Sequence, residues 1–256
     1  MLLNSYPACI VMVFGSAALA VLLLAILRKF IKVETFKTGH EVAGYLLSVA
    51  GTLYAVLLGL VVVDAMQKYQ RAVEITEKEC NNLADVFIIA QRLPEPNRSN
   101  VRMLCRRYAQ KVEDTEWQQM SCRSFCPLAR DTAVSLMEAL IDFEPKSENE
   151  KALYPQMVEE ASQFWQNRQA RISMAVKGVP VAEWCALIFG AILIVFFTFL
   201  FWLENLRLQM LMTALVSMLI ALNLCLLLLF AYPFSGDLAV AADSFKNLKQ
   251  IFLRSH

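Results

Sequence analysis

The sequence predicts an all-α integral membrane protein with four transmembrane helices and a helical extramembrane insert between the second and third. Three observations predict it. Apolar residues make up 57% of the 256-residue chain and charged residues only 18%, against about 45–50% and 25% in soluble domains. Four long runs carry no charge at all. No alternating strand pattern and no internal repeat occurs anywhere between them. Lys plus Arg is 24 and Asp plus Glu is 23, a net charge of +1, which excludes the basic excess of a nucleic-acid protein. Eight glycines and eight prolines exclude collagen-like or linker-like chains.

The runs are Ala8 to Leu27, Val42 to Val63, Trp184 to Leu203 and Leu208 to Gly236. Each is long enough to cross about 30 Å of hydrocarbon as a helix. The first has no basic residue before it, only Arg28-Lys29 after it, so it is expected to be an uncleaved span rather than a signal peptide. The predicted division is therefore 8–63 for the first two spans, 64–179 for the insert, 180–236 for the last two spans and 237–256 for a polar C-terminal tail.

The insert reads as four helical stretches. The second span continues to Arg92, because no Pro or Gly interrupts it. Leu93-Pro94-Glu95-Pro96-Asn97 is a turn, since two prolines remove donors and restrict their neighbours. Ser99 to Met120 follows, with Asn97 or Ser99 as the cap. Cys122 to Pro127 breaks the pattern. Leu128 to Phe143 is apolar on one stripe, through Val134, Leu136, Met137, Leu140 and Ile141. Ser147-Glu148-Asn149-Glu150 has capping-box spacing and opens a helix to Lys177. Gly178 and Pro180 hinge it to the third span.

The second span has two distinct sides at about 100° per residue. Gly44, Ser48, Gly51, Ala55 and Gly59 form a small-residue stripe suited to close helix packing. Tyr54, Leu57, Val61, Asp64 and Lys68 lie opposite. That side has two readings: a face packed within the protein, with Asp64 paired to Lys68, or a pore wall with an apolar constriction and an acidic ring. The fourth span carries Gln209, Thr213, Ser217 and Asn223 on one broad face. Thr213 and Ser217 can bond back to their own helix, and Gln209 lies near an end, within reach of the headgroups. Asn223 is deep and calls for an interhelical partner or a water-filled lumen. Trp184 and Trp202, about 27 Å apart along a helix, have the spacing of two aromatic belts.

Enzyme signatures are missing. The sequence has no phosphate-cradling glycine loop, no HExxH, no GxSxG and no paired nucleophile and base. His40 and His256 are the only histidines. Glu113-Asp114 and Glu159-Glu160 read as solvated helix faces, and Trp117 and Trp165 as core or interface residues of the insert. Cys122 and Cys126 lack two-pair zinc spacing. The expectation is no enzyme, no cofactor and no metal. Cys80, Cys105, Cys122 and Cys126 suit either two disulfides or four reduced thiols. Asn97-Arg98-Ser99 matches a glycosylation acceptor. Orientation follows from basic residues: Arg28, Lys29, Lys32, Lys37 and Arg207 sit in the two short loops, which places those loops in the cytoplasm and the insert outside. Basic residues at the opposite span ends weaken that count.

Gly51-Thr-Leu-Tyr-Ala-Val-Leu-Leu-Gly-Leu-Val-Val-Val63 resembles the second-span signature of the bacterial bestrophin-like domain family, a domain of unknown function. The likeness continues through Glu79-Cys-Asn-Asn-Leu-Ala-Asp85, Leu93-Pro-Glu-Pro96, Tyr108-Ala109, Glu116-Trp117 and Ala152-Leu-Tyr154. It resumes at Arg207-Leu-Gln-Met-Leu-Met-Thr-Ala214 and ends at Tyr232-Pro-Phe-Ser-Gly-Asp-Leu238. It spans Val42 to Leu248. The resemblance implies a multi-pass protein of the bacterial inner membrane. Through a remote similarity to bestrophins it implies a homo-oligomeric, pentameric ion channel with the second span lining the pore. Tyr54, Leu57 and Val61 would then map onto the apolar neck, with Asp64, Lys68 and Asn223 as further pore-lining candidates. Its partners would be the lipid bilayer and inorganic ions. The chain departs from bestrophins after the fourth span, where Asp237 and Asp243 alone stand in place of an acidic calcium clasp. Bestrophins also keep both termini cytoplasmic, opposite to the charge count. The competing expectation is a non-conducting membrane scaffold or signalling protein whose helical insert binds a partner.

Overall fold

The computed structural model describes residues 4–30, 40–124, 126–201, 203 and 205–254. Lys32, Lys37, Trp202 and His256 lie outside them, and with them the complete basic-loop count and the second aromatic belt. Among the described residues every regular element is helical. In chain order these are α1 (Tyr6–Phe30), α2 (His40–Ile89), α3 (Asn97–Lys111), α4 (Trp117–Ser121), α5 (Pro127–Ile141), α6 (Glu148–Val176), α7 (Val181–Leu200), α8 (Leu206–Phe230) and α9 (Asp243–Arg254). A short 3-10 turn, Ala90–Arg92, ends α2. Four segments are long and apolar enough to cross a membrane; the first holds its predicted run whole, and each of the other three overlaps most of its own.

The chain divides into two compact units: Met1–Gln67 with Val179–Ala231, and Lys68–Gly178 with Tyr232–His256. In the first, α1 and the membrane parts of α2, α7 and α8 keep large apolar side chains outward, as lipid permits. Leu22, Val49, Leu53, Ile192 and Leu219 are all exposed. α8 stops at Phe230, short of the predicted Gly236, because the Pro233 ring cannot donate to a continuing ladder. Asn205 caps its start, accepting from the backbone N–H of Arg207 at 3.0 Å and of Leu208 at 3.3 Å.

The second unit has a true core. Phe87, Tyr108, Leu136, Met157 and Phe164 are fully buried in one cluster. The capping box at the start of α6 is present: Ser147 Oγ accepts from the Glu150 N–H at 3.2 Å, and Glu150 accepts from the Ser147 N–H at 3.2 Å. The start of α3 is built differently from expectation. Neither Asn97 nor Ser99 caps it; Glu95 reaches forward from the preceding turn to accept from Ser99 N–H and Oγ. The predicted helix from Ser99 to Met120 is interrupted by a π turn at Val112–Glu116. Tyr108, Val112, Glu116 and Met120 are all buried, four residues apart. In an unbroken α-helix each four-residue step drifts about 40° around the axis, and the wider turn takes up that drift.

The C-terminal segment is not simply a polar tail. α9 turns Phe245, Leu248 and Phe252 into the same core, all at most 2% exposed. Its polar composition hides the pattern, since three apolar residues spaced three and four apart suffice for one buried stripe.

Candidate functional site

The residues singled out on the second span separate once the fold is known. Tyr54 and Val61 are buried within the chain, with Leu58 and Ala65 between and beyond them. The reason is a close approach at Gly190 of α7: a Cβ there would lie 2.5 Å from the Tyr54 ring. Glycine is required at that contact because any side chain would collide with the ring. Leu57 is 39% exposed and sits at the edge of the buried face. Asp64 and Lys68 are half-buried.

The small-residue stripe has the opposite surroundings. Only Gly44 meets a neighbour, the Phe201 ring, at 3.7 Å from a built Cβ. Gly51 and Gly59 have no atom within 4 Å of such a Cβ, and Ser48 and Ala55 are exposed. Next to that stripe runs the most open side of the helix, through Tyr45, Val49, Val56, Leu60 and Val63, each more than half exposed. A single chain thus covers the Tyr54 side and leaves an apolar strip and the small-residue stripe uncovered.

The polar residues of the fourth span also part company. Gln209 and Thr213 are buried, at 2% and 1% exposure. Gln209 does not reach toward headgroups: its Oε1 accepts from the Arg28 guanidinium, which also donates to the Leu203 carbonyl. Thr213 stands 3.4 Å from Thr198 on α7, hydroxyl to hydroxyl, and Ser217 is buried on the same side. Asn223 bonds in part to its own helix. Its Nδ2 donates to the Leu219 carbonyl one turn back at 2.9 Å, which uses one of its two N–H groups and leaves the amide oxygen for a further partner.

A second polar constellation lies in the core of the insert, and sequence reasoning missed it. Arg171 on α6 donates Nε to Glu79 Oε2 at 2.6 Å and Nη2 to Glu79 Oε1 at 2.9 Å, a two-pronged pair. The same Nη2 reaches Glu116 Oε1 at 2.7 Å, and Arg168 donates to Glu116 Oε2 at 2.6 Å. The Tyr108 hydroxyl donates to Glu79 and accepts from Arg171 at 3.3 Å. Two guanidinium groups face two carboxylates, so the cluster is neutral. Burial acts against the Arg171 charge, but Glu79, with Tyr108 and Glu116, outweighs it and holds the pKa well above the ordinary value. Burial beside Glu79 pushes the Tyr108 hydroxyl far up. Glu79, Tyr108 and Glu116 all fall inside the motifs quoted above; what hid their partnership is the long loop closure to Arg168 and Arg171.

The expectations for Trp117 and Trp165 fit their packing. Trp117 Nε1 donates to the Val240 carbonyl at 3.1 Å, and its ring meets Phe234 and Phe245. Trp165 packs partly buried against the main core. Glu113 pairs with Lys249, and Glu160 accepts from Asn82 Nδ2 at 2.6 Å, so neither is simply solvated. Cys80, Cys105 and Cys126 are buried and Cys122 is exposed, all four as free thiols. Burial raises the pKa of Cys80 and Cys105. No group of three or more His, Cys, Asp or Glu suited to a metal ion occurs among the described residues.

Crystal structures of helical membrane proteins share this fold. One of a bacterial bestrophin homolog from Klebsiella pneumoniae, a point variant, superposes with a TM-score of 0.72 at 12% identity, covering 94% of this chain and 97% of that one. A second crystal structure of that homolog gives 0.70 at 12% identity, over 93% and 96%. One described only as a membrane protein gives 0.70 at 12% identity, over 94% and 97%. No curated protein matches the sequence. The bestrophin-like domain profile matches residues 14–245, nearly the whole chain, and the protein belongs to the bestrophin-like domain family.

Proposed function

We propose that this chain is one subunit of a homo-oligomeric ion channel whose pore is lined by the membrane part of α2. The observation that carries the reading is the uncovered strip through Val49, Val56, Leu60 and Val63, beside a stripe of small residues, on a helix whose other side is buried. Four spans cannot enclose a pore alone. Identical copies around an axis would cover the small-residue side of each α2 and turn the apolar strip inward. An apolar wall of this kind gates by dewetting. In this arrangement Tyr54 and Val61 back the wall and set its rotation through Gly190, Leu57 borders it, and Asn223 stays outside the path. Membership of the family supports the reading, and five copies is the number its resemblance to bestrophins suggests.

Asp64 follows the uncharged run of α2 and marks its polar end. At the border of the wall, on the same edge as Leu57, one half-buried carboxylate per subunit makes a ring that gathers cations, with Lys68 one turn further on opposing it. The proposed preference is therefore modestly for cations. Recordings from purified protein in planar bilayers test the channel: steps of current are expected, and bilayers that stay silent under every salt and voltage condition would overturn it. The competing scaffold reading expects a monomer in detergent, so a monomeric mass would favour it.

A further inference from the structure

We infer that Cys9, Met12 and Cys225 form a three-sulfur site for a soft monovalent metal ion, copper(I), where α1 meets α8. Cys9 and Met12 are three residues apart on α1, so their side chains share one face. Cys225 lies on the facing helix, in the last two turns of α8. Its Sγ stands 3.6 Å from Met12 Sδ and 3.6 Å from the Cys9 carbonyl oxygen, and the two thiols are in hydrogen-bond contact. Cys9 and Cys225 are 8% and 3% exposed, and Met12 is half-buried. Trigonal coordination at a metal–thiolate distance of about 2.3 Å sets sulfurs about 4.0 Å apart. Cys225 and Met12 therefore need to part only slightly to admit an ion. An adjoining cavity of about 580 Å³, with Tyr6, Cys9 and Cys225 in its lining, supplies the entry path.

The choice of ion follows from the donors. α1 and α8 contain no Asp, Glu or His, so neither helix offers the carboxylates of calcium and magnesium sites or the imidazoles of mixed ones. Two thiolates and a thioether are soft donors, and soft donors select copper(I). Three of them suit it better than zinc, whose structural sites take four ligands. Cys9 is in the first turn of α1, where the positive end of the helix dipole favours a thiolate. On binding, both thiols release their protons to water. The ion with its two thiolates then carries one negative charge beside that helix end. No electron moves, since copper enters and stays as copper(I). A silent bilayer recording would leave the site intact.

The test is titration of the reduced full chain in detergent, under nitrogen, with copper(I) supplied as its bicinchoninate complex. Wild type is expected to withdraw one copper per chain from the chelator, and X-ray absorption should show three sulfur neighbours with no nitrogen or oxygen. Cys9→Ser and Cys225→Ser should each lose that copper. Met12→Leu conserves volume and is tolerated in a packed interface, so it carries the test where a serine variant melts early: its sulfur shell should fall from three to two. Wild type that leaves all copper with the chelator would overturn the site. So would copper retained in full by Cys225→Ser, or a sulfur shell unmoved by Met12→Leu. Cys122 and Cys185 are the exposed thiols; copper lost from a Cys122→Ser, Cys185→Ser double variant would be adventitious binding only, and would overturn it too.

Discussion

Replacing Arg171 by Met leaves Glu79 and Glu116 buried with no guanidinium between them. Breaking one side of a buried pair costs about 3–5 kcal/mol. The Arg171→Met protein should therefore lose much of its helical signal on mild heating, measured by circular dichroism. Exchanging the whole cluster for apolar residues of like volume is expected to cost far less, because desolvation of both charges is then avoided. Asp85 gives a pH signature from the same unit. Burial, with the nearby Glu160, raises its pKa, so the folded state takes up a proton more readily than the unfolded one. Its contribution is most favourable below the unfolded pKa, near 4, and fades as pH rises through the raised folded value. Asp85→Asn should thus raise the melting temperature at neutral pH and flatten its acid dependence; an unchanged profile would mean that neither burial nor Glu160 raises the Asp85 pKa.

At the scale of elements, α9 is the clearest lever. Phe252 stacks on Phe87 with ring centroids 4.2 Å apart, and Phe245 lies against both Tyr108 and Trp117. Phe245→Ala should cost about 3–5 kcal/mol and expose the insert to protease, while Ser147→Ala at the cap of α6 should cost about 1 kcal/mol. A protease pattern unchanged by Phe245→Ala would mean that α9 does not seal the core. These two helices also mark the reach of sequence reading. Charge-free runs and a capping box are local signals, and they located the spans and the start of α6. α9 escaped because its apolar stripe is only three residues wide. The two sides of α2 were visible as periodicity, but which side a neighbour covers depends on Gly190, far away in sequence. The buried cluster was invisible for the same reason: Glu79 and Arg171 are 92 residues apart.

For the whole molecule, the proposed assembly makes two measurable claims. In a salt gradient the reversal potential should indicate modest cation preference, weakened by Asp64→Asn and strengthened by Lys68→Gln. Reversal potentials unmoved by both would take the α2 face out of the ion path. A reporter active only in the cytoplasm, fused after His256, should give signal. Cys80, Cys105 and Cys126 are buried as free thiols, the state a reducing compartment favours; a silent fusion would instead support the basic-loop count. The buried charge cluster and α9 also bear on how the chain is made. Glu79 leaves the ribosome long before Arg168 and Arg171, and Phe245 and Phe252 come only after both later spans. Until the last helix is synthesised, the insert has unmatched carboxylates and then an uncovered apolar floor. Biogenesis of the extramembrane unit is therefore tied to successful integration of α7 and α8. A ribosome stalled before Asp243, or a third span that fails to insert, leaves the apolar floor of the insert open, the kind of exposed surface through which intermediates aggregate.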